Sequence, residues 1–563
     1  MPDAPLKVVL YWHMHQPRYH DMTSGEYKMP WVYLHAIKDY VDMVAHLEAN
    51  PEARVVVNFT PALLDQIENY ASQVQNHQQQ HTPIRDSLLA ALASPISPFD
   101  VDSSLALMRQ CLHANQEHTI NRFAPFKLLA ELAEKQIESP ETIRYVNEQF
   151  LYDLLVWYHL GWLGETVRRK DSRVQQLIEK KYGYTLRDRR VLLDIIGELL
   201  AGVIPRYKTL AQRGQIELSI TPGEHPIVPL LLDINSARDA EPDMTLPELT
   251  KYPGGEERAQ WHIERGLDSF RHHFDMQPQG CWPAEGGASE ATLKMLSQSG
   301  FLWAATGESV MHNSIARSEI PKANCQHQPF LIDAADNIVC FFRDDNLSDL
   351  IGFNYSKWHS EDAVKDLIHH LENIDKACET ESNRIVSIIL DGENAWEHYP
   401  ENGYHFLTKL YSQLTEHPHL QLATYSDIME QRESFTHLPK LVAGSWVYGT
   451  FSTWIGDPDK NRAWDILGDA KQAYDNALAE GRLEGERLDR ASEQLGICEA
   501  SDWFWWLGDY NSELSVREFE SLFRHHIADL YFLIGEEPPE HLAHPISLGT
   551  GSPEQGGTMR RGH

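Results

Sequence analysis

Seven short strand-length runs, each closed by polar residues, constrain this chain more than any other feature. Leu6–Tyr11 leads into His13-Met14-His15-Gln16-Pro17, and Arg54–Val57 into Asn58-Phe59-Thr60-Pro61. Ile216–Ile220 leads into Thr221-Pro222-Gly223-Glu224-His225-Pro226, and Gln279–Trp282 into Pro283-Ala284-Glu285-Gly286. Leu302–Ala305, Ile338–Phe342 and Ile385–Leu390 end at Thr306-Gly307-Glu308, Arg343-Asp344-Asp345 and Asp391. A mostly apolar run of this length reads as a strand buried on both faces of a parallel sheet. Gln421–Ala423 is a weaker eighth candidate. Helical patterns such as Glu290–Ser299 and Asp362–Cys378 lie between the runs, with apolar residues three and four apart. Alternation of this kind implies a parallel sheet, and seven or eight units imply a barrel. No Gly-x-Gly-x-x-Gly follows any run, so dinucleotide binding has no support.

Two regions break the alternation. Ile84 to about Gly214 is helical in pattern and too long for a loop. Beyond about Pro439 the chain turns helical again and carries Trp446, Trp454, Trp464, Trp503, Trp505 and Trp506. The fold expected is α/β: an incomplete (β/α)7 barrel with a large helical insertion and a C-terminal helical region. The expected units are a catalytic barrel over 1–438 with its insertion at about 84–214, then a helical domain over 439–545 that completes the active site. The Gly/Ser/Pro-rich tail over 546–563 is expected to be disordered.

Composition narrows the partners. With 82 acidic against 49 basic residues the formal charge is −33, which disfavours nucleic acid and anionic membrane. No apolar run is long enough to span a bilayer. The N-terminus lacks a basic segment followed by a long apolar core, so a cytoplasmic location is expected. The 6 cysteines are scattered without a CxxC, which favours buried thiols.

Chemistry concentrates at the ends of the runs. Ile385–Leu390 stops at Asp391-Gly392-Glu393-Asn394-Ala395-Trp396-Glu397. Carboxylates at the carboxyl ends of buried strands lie where barrels build active sites. Clustered acids raise one another's proton affinity, which keeps a general acid protonated. Asp391 could also cap a helix. Glu285 sits between Trp282-Pro283-Ala284 and Gly286-Gly287, where small neighbours admit a ligand; a loop glutamate is the plain alternative. His13 and His15 share a face of their strand. With His225 they could bind a metal, bond sugar hydroxyls, or simply belong to the core. Asp502-Trp503-Phe504-Trp505-Trp506, with Asp509 beyond, is either a helix core or a sugar platform. Arg343-Asp344 is either an ion pair or a ligand clamp.

Taken in order, these motifs resemble glycoside hydrolase family 57, the α-glucan-active retaining enzymes. His15-Gln16-Pro17 looks like the family's first motif and Thr221–Pro226 its second, which implies substrate binding by His225. Gly280–Gly286 looks like the third, which implies Glu285 as nucleophile. Asp391–Glu397 looks like the fourth, which implies Asp391 as general acid/base. Asp502–Asp509 lies where the fifth is expected. Trp31–Tyr40 and Phe451–Trp464 look like the amylopullulanase and α-amylase branch. Glu224, Gly307 and Asp345 depart from the family pattern. The resemblance implies retaining cleavage of α-glucans or maltodextrins without a metal or other cofactor. His13, His15, His225 and Asp509 would hold hydroxyls, Trp282, Trp396 and Trp505 would meet sugar rings, and Glu393 would support Asp391. A 4-α-glucanotransferase would use the same pair. A metal-dependent deacetylase would instead use the three histidines with Asp391.

Overall fold

The structure is a computed structural model that describes residues 4–95, 100–318, 326–379, 381–549, 551 and 559. Ten strands form one sheet: β1 (Leu6–Met14), β2 (Val55–Phe59), β3 (Ile216–Ile220), β4 (Gly280–Cys281), β5 (Trp303–Thr306), β6 (Phe330–Ile332), β7 (Ile338–Phe342), β8 (Ile385–Asp391), β9 (Leu420–Leu422) and β10 (Thr436–Leu438). Parallel pairing runs β7-β5-β4-β3-β2-β1-β8. These are the seven runs read from the sequence.

The two ends of this path touch at one place. Arg343, just past β7, forms a parallel bridge with Ser387 of β8. The Asp344 amide donates to the Ser387 carbonyl at 2.8 Å, and Arg343 Nε to the Ile389 carbonyl at 2.9 Å. No longer ladder joins β7 to β8 among the described residues, so the ring is an incomplete (β/α)7 barrel. The weak eighth run, β9, pairs with the start of β1 instead of closing the gap. The sequence reading missed β6 and β10, each three residues long; β6 pairs antiparallel with β7.

Side chains alternate across each strand. Val9 and Tyr11 of β1 join Trp303, Val339, Phe341 and Ile389 in an inner core. Val8, Leu10, Trp12 and Met14 face outward into the larger core shared with the helices. Continuing the inner row, His13 follows Tyr11 and Asp391 follows Ile389, and the two residues lie opposite each other in register.

The insertion is helical, from Ser87–Ala93 to the long helix Leu186–Gln212. The region after the barrel is also helical, through Pro458–Ala479, Gly485–Cys498, Ser501–Trp506 and Glu513–Ile534. The expectation of disorder from residue 546 needs correction. Ile546 and Ser547 are buried, because the Ile546 amide donates to Glu520 at 2.7 Å and the Gly508 amide donates to Ser547 at 3.1 Å. Most residues beyond Gly551 lie outside those described. Cys111, Cys281, Cys340 and Cys498 are buried free thiols, but Cys378 is disulfide-bonded, contrary to the reading of thiols alone. Among the described residues no helix is long and apolar enough to cross a membrane.

Gly280 lets the two-residue β4 fit. A Cβ there would lie 1.8 Å from the Trp303 indole, which Glu217 pins by accepting from Nε1 at 2.9 Å. Gly280→Ala is therefore expected to cost about 1–3 kcal/mol through overpacking. A lower urea midpoint at unchanged slope measures it.

Candidate active site

The carboxyl ends of the strands open into a cavity of about 460 Å³. His13, His15, His225, Glu285, Asp391, Glu393 and Trp505 all line it. Glu285 and Asp391 thus reach one space from different strands.

Glu285 is held from two sides. Its backbone is left-handed, at φ 58°, and so is that of His225, at φ 65°. Such conformations cost non-glycine residues about 1–3 kcal/mol and persist only where neighbours enforce them. The enforcing groups come from beyond the barrel. The Trp446 amide donates to the Glu285 carbonyl at 3.1 Å, and the Ser501 amide to the His225 carbonyl at 2.9 Å. The carboxylate is gripped by the same residues: Trp446 Nε1 donates to Oε2 at 3.1 Å and the Ser501 hydroxyl to Oε1 at 2.9 Å. His225 Nδ1 lies 2.9 Å from Ser501 Oγ. With the hydroxyl proton on Glu285, the ring proton of His225 sits on Nδ1. Its Nε2, buried and without a hydrogen-bond partner among the described residues, is then an acceptor at the cavity wall.

The three histidines form a stack. His15 and His225 have ring centroids 3.7 Å apart at 19°, and His13 lies 5.4 Å from His225. Each ring has its own partner: His13 Nδ1 is 2.6 Å from Asn58, and His15 Nε2 is 2.8 Å from Asp502. His15, His225 and Asp502 offer ligand atoms within 4.8 Å of one another. Stacking nevertheless keeps the in-plane lone pairs of His15 and His225 side by side, so they do not converge on one ion.

Charge is unevenly placed. Burial lowers His13 to about 3, helped by the charge on His15. Burial and both neighbouring rings put His225 well below its ordinary value. Burial also opposes charge on His15, but Asp502, Glu285 and Asp391 outweigh it and raise its pKa. His15 is therefore the most readily charged of the three rings, at one end of the stack, with His225 between it and His13. Burial, then the charge of Asp502, raises Glu285 to about 8, against the opposing effect of His15. Burial raises Asp391 to about 6, opposed by the Asn394 amide that donates to it at 2.9 Å and by His15 and Arg343. Burial and Asp391 push Glu393 well above the usual carboxylate range, and its carboxyl accepts from the His15 amide at 3.3 Å.

Three expected sugar contacts lie elsewhere. Trp282 is 0 % exposed, and its ring lies beneath His13 and Trp446. Trp396 is 1 % exposed; its Nε1 donates to the Gly392 carbonyl and its ring packs on Trp12 and Tyr399. Neither lines the cavity: Trp282, directly after β4, packs into the inner core, and Trp396, in the short helix Trp396–His398 beyond β8, packs into the outer one. Asp509 is exposed and does not line the cavity; the acid that this segment supplies is Asp502. The sequence reading did not single out Trp446, Ser501 or Asn394. It also missed Trp162 and Phe519 in the aromatic wall, whereas Trp506, from the segment read as a possible sugar platform, lines the cavity and stacks on Phe519 at 4.5 Å. The density of tryptophan beyond Pro439 was the one available signal.

Residues 9–441 match the model of glycosyl hydrolase family 57. The chain belongs to this family. No curated protein matches its sequence. Its fold is similar to that of a family 57 branching enzyme from Thermococcus kodakaraensis, at TM-score 0.57 and 14 % identity over 95 % of this chain and 90 % of that one. A branching enzyme of the same type from Pyrococcus horikoshii gives TM-score 0.57 and 15 % identity over 96 % and 93 %. An α-amylase from Thermotoga maritima gives 0.56 and 14 % over 94 % and 93 %.

The three departures from the family 57 pattern each have a structural counterpart. Glu224 is buried in an ion pair with Arg18 at 2.6 Å. Gly307 makes room for Trp446, since a Cβ there would lie 2.7 Å from the Trp446 Cα. Asp345, with Asp349, holds Arg343 at 2.6 and 2.9 Å, and the Arg343 guanidinium lies 5.7 Å from the Trp446 ring centre. Arg343 therefore pairs with Asp345 and Asp349, whereas Asp344 caps the next helix through the Leu347 amide. Two of the three departures bear on the residue that grips Glu285.

Trp446→Phe keeps the ring but removes the donor to Glu285. Loss of a hydrogen bond to a carboxylate costs about 1.5–3 kcal/mol, so kcat/KM of a reaction that uses the Glu285 carboxylate should fall about tenfold or more. Because the donor favours the ionised carboxylate, the alkaline limb of the pH profile should move upward.

Proposed function

We propose that this protein cleaves α-glucosidic bonds in starch- or glycogen-type glucans, or in maltodextrins, by double displacement. The observation that carries the proposal is the convergence of Glu285 and Asp391 on one aromatic-walled cavity, each with raised proton affinity. Glu285 attacks the anomeric carbon and forms a glycosyl-enzyme while Asp391 protonates the departing oxygen. Asp391 then deprotonates the acceptor, which displaces Glu285.

The productive state holds one proton on the pair. Burial favours that proton on Glu285, whereas attack requires it on Asp391. The two carboxyls titrate together, so the apparent pKa values belong to the pair. Between about 6 and about 8 the pair carries one proton. The reactive form is the tautomer with the proton on Asp391, which the Trp446 and Ser501 donors support by stabilising the Glu285 anion, whereas charge on His15 lowers both carboxyls. Neutral His225 offers Nε2 to a sugar hydroxyl, and the part-exposed Trp506 offers a face to a sugar ring.

Water and a second sugar can both serve as acceptor with this pair. Transfer to a sugar is the second reading, favoured by the aromatic wall of Trp31, Trp162 and Phe519, which could seat an acceptor chain beside the catalytic pair. Incubation with maltotriose separates the two: longer oligosaccharides with little glucose mark transfer, and shorter products alone mark hydrolysis. A metal-dependent deacetylase is disfavoured by the stacked histidines.

Glu285→Gln and Asp391→Asn should each lower kcat on amylose or maltooligosaccharides by at least about 10³-fold. Unchanged turnover in both would remove the assignment. The wild-type kcat/KM should be bell-shaped in pH, with limbs near 6 and 8.

A further inference from the structure

A second convergent set of side chains lies on the outer helices. Glu68 is on the helix Pro61–Gln80 that follows β2, and His272 and His273 end the helix Gly255–Phe274 that precedes β4. All three line a separate cavity of about 800 Å³, together with Asp194 and Glu198 of the helix Leu186–Gln212. None of them lines the cavity of Glu285 and Asp391.

His273 is the informative member. Its side chain is 3 % exposed. Its Nδ1–H donates to the Ser269 carbonyl at 2.8 Å, which fixes the tautomer and leaves the lone pair on Nε2. That Nε2 is buried and has no hydrogen-bond partner among the described residues. Metal-ligating histidines are commonly oriented in this way, with the far nitrogen donating to a backbone carbonyl. Glu68 Oε2 lies 3.7 Å from this Nε2 and 3.3 Å from Nε2 of His272. The three ligand atoms all lie within 4.8 Å of one another. A tetrahedral zinc ion with bonds of about 2.0–2.2 Å separates its ligands by about 3.3–3.6 Å. The two measured gaps lie close to that edge, and 3.7 Å is too long for a hydrogen bond.

We propose that Glu68, His272 and His273 bind a divalent transition metal ion, zinc by the chemistry of the donors, and that the ion clamps the two helices. Two imidazoles and one carboxylate suit zinc better than magnesium or calcium, which prefer oxygen. Water would complete the coordination shell. The site is independent of the glucan chemistry proposed above.

The test titrates Zn²⁺ into metal-free full-length protein by calorimetry, alongside Glu68→Gln and His272→Gln. Both side chains are more than half exposed, so neither substitution threatens the fold. The wild type should bind one zinc ion at this site and gain thermal midpoint with added zinc. Each variant should bind it at least about tenfold more weakly and lose the thermal gain. His273→Gln, with its fold checked by circular dichroism, should do the same. Absence of binding would overturn the proposal. So would binding and thermal gain that are unchanged in the variants, which would place the ion elsewhere.

Discussion

The double hold of Trp446 on Glu285 is the interaction on which the rest of the site depends. One residue fixes both the backbone and the carboxylate of Glu285. The left-handed conformation at Glu285 is braced by this contact together with the turn bonds from the Gly286 and Gly287 amides to the Pro283 and Ala284 carbonyls. Trp446 is in turn placed by the gap at Gly307 and by Arg343, which Asp345 and Asp349 orient. The cavity end of the barrel is thus assembled in part by chain that follows it. Ser501 repeats the arrangement at His225 and adds a hydroxyl shared between the histidine and Glu285.

The same arrangement explains the electrostatics. Enclosing both carboxyls makes each a weaker acid, and Asp502 adds to the effect at Glu285. His15 offsets part of this because Asp502 stabilises its charge. His13 and His225 stay neutral beside it, since a second or third charge in a close stack of rings would be repelled. The site therefore combines a ring whose charge Asp502 favours, two carboxyls of raised proton affinity and two rings that stay uncharged.

Much of this was legible in the sequence, for physical reasons. Buried parallel strands need continuous apolar runs, so all seven barrel strands stood out. Alternation then placed His13 with Tyr11, and Asp391 with Ile389, on the inner face. Beyond the strands the rule failed. Trp282 and Trp396 looked like platforms because they lie near the residues expected to be catalytic, but their rings complete the core beneath the turns. Asp502 was passed over for Asp509 because the contact with His15 joins residues 487 positions apart, which no local pattern reveals. Trp446 stood in a tryptophan-rich stretch with no mark to distinguish it. The strands β6 and β10 are too short for a periodic signal.

The most direct test of the central claim is to trap the reaction on the enzyme. A slow fluorinated α-glucosyl donor is incubated with the protein, which is then digested and mapped by mass spectrometry. The account requires a glycosyl adduct on the peptide that contains Glu285, absent from Glu285→Gln. Turnover of the donor with no adduct, or an adduct on a different carboxylate, would contradict it.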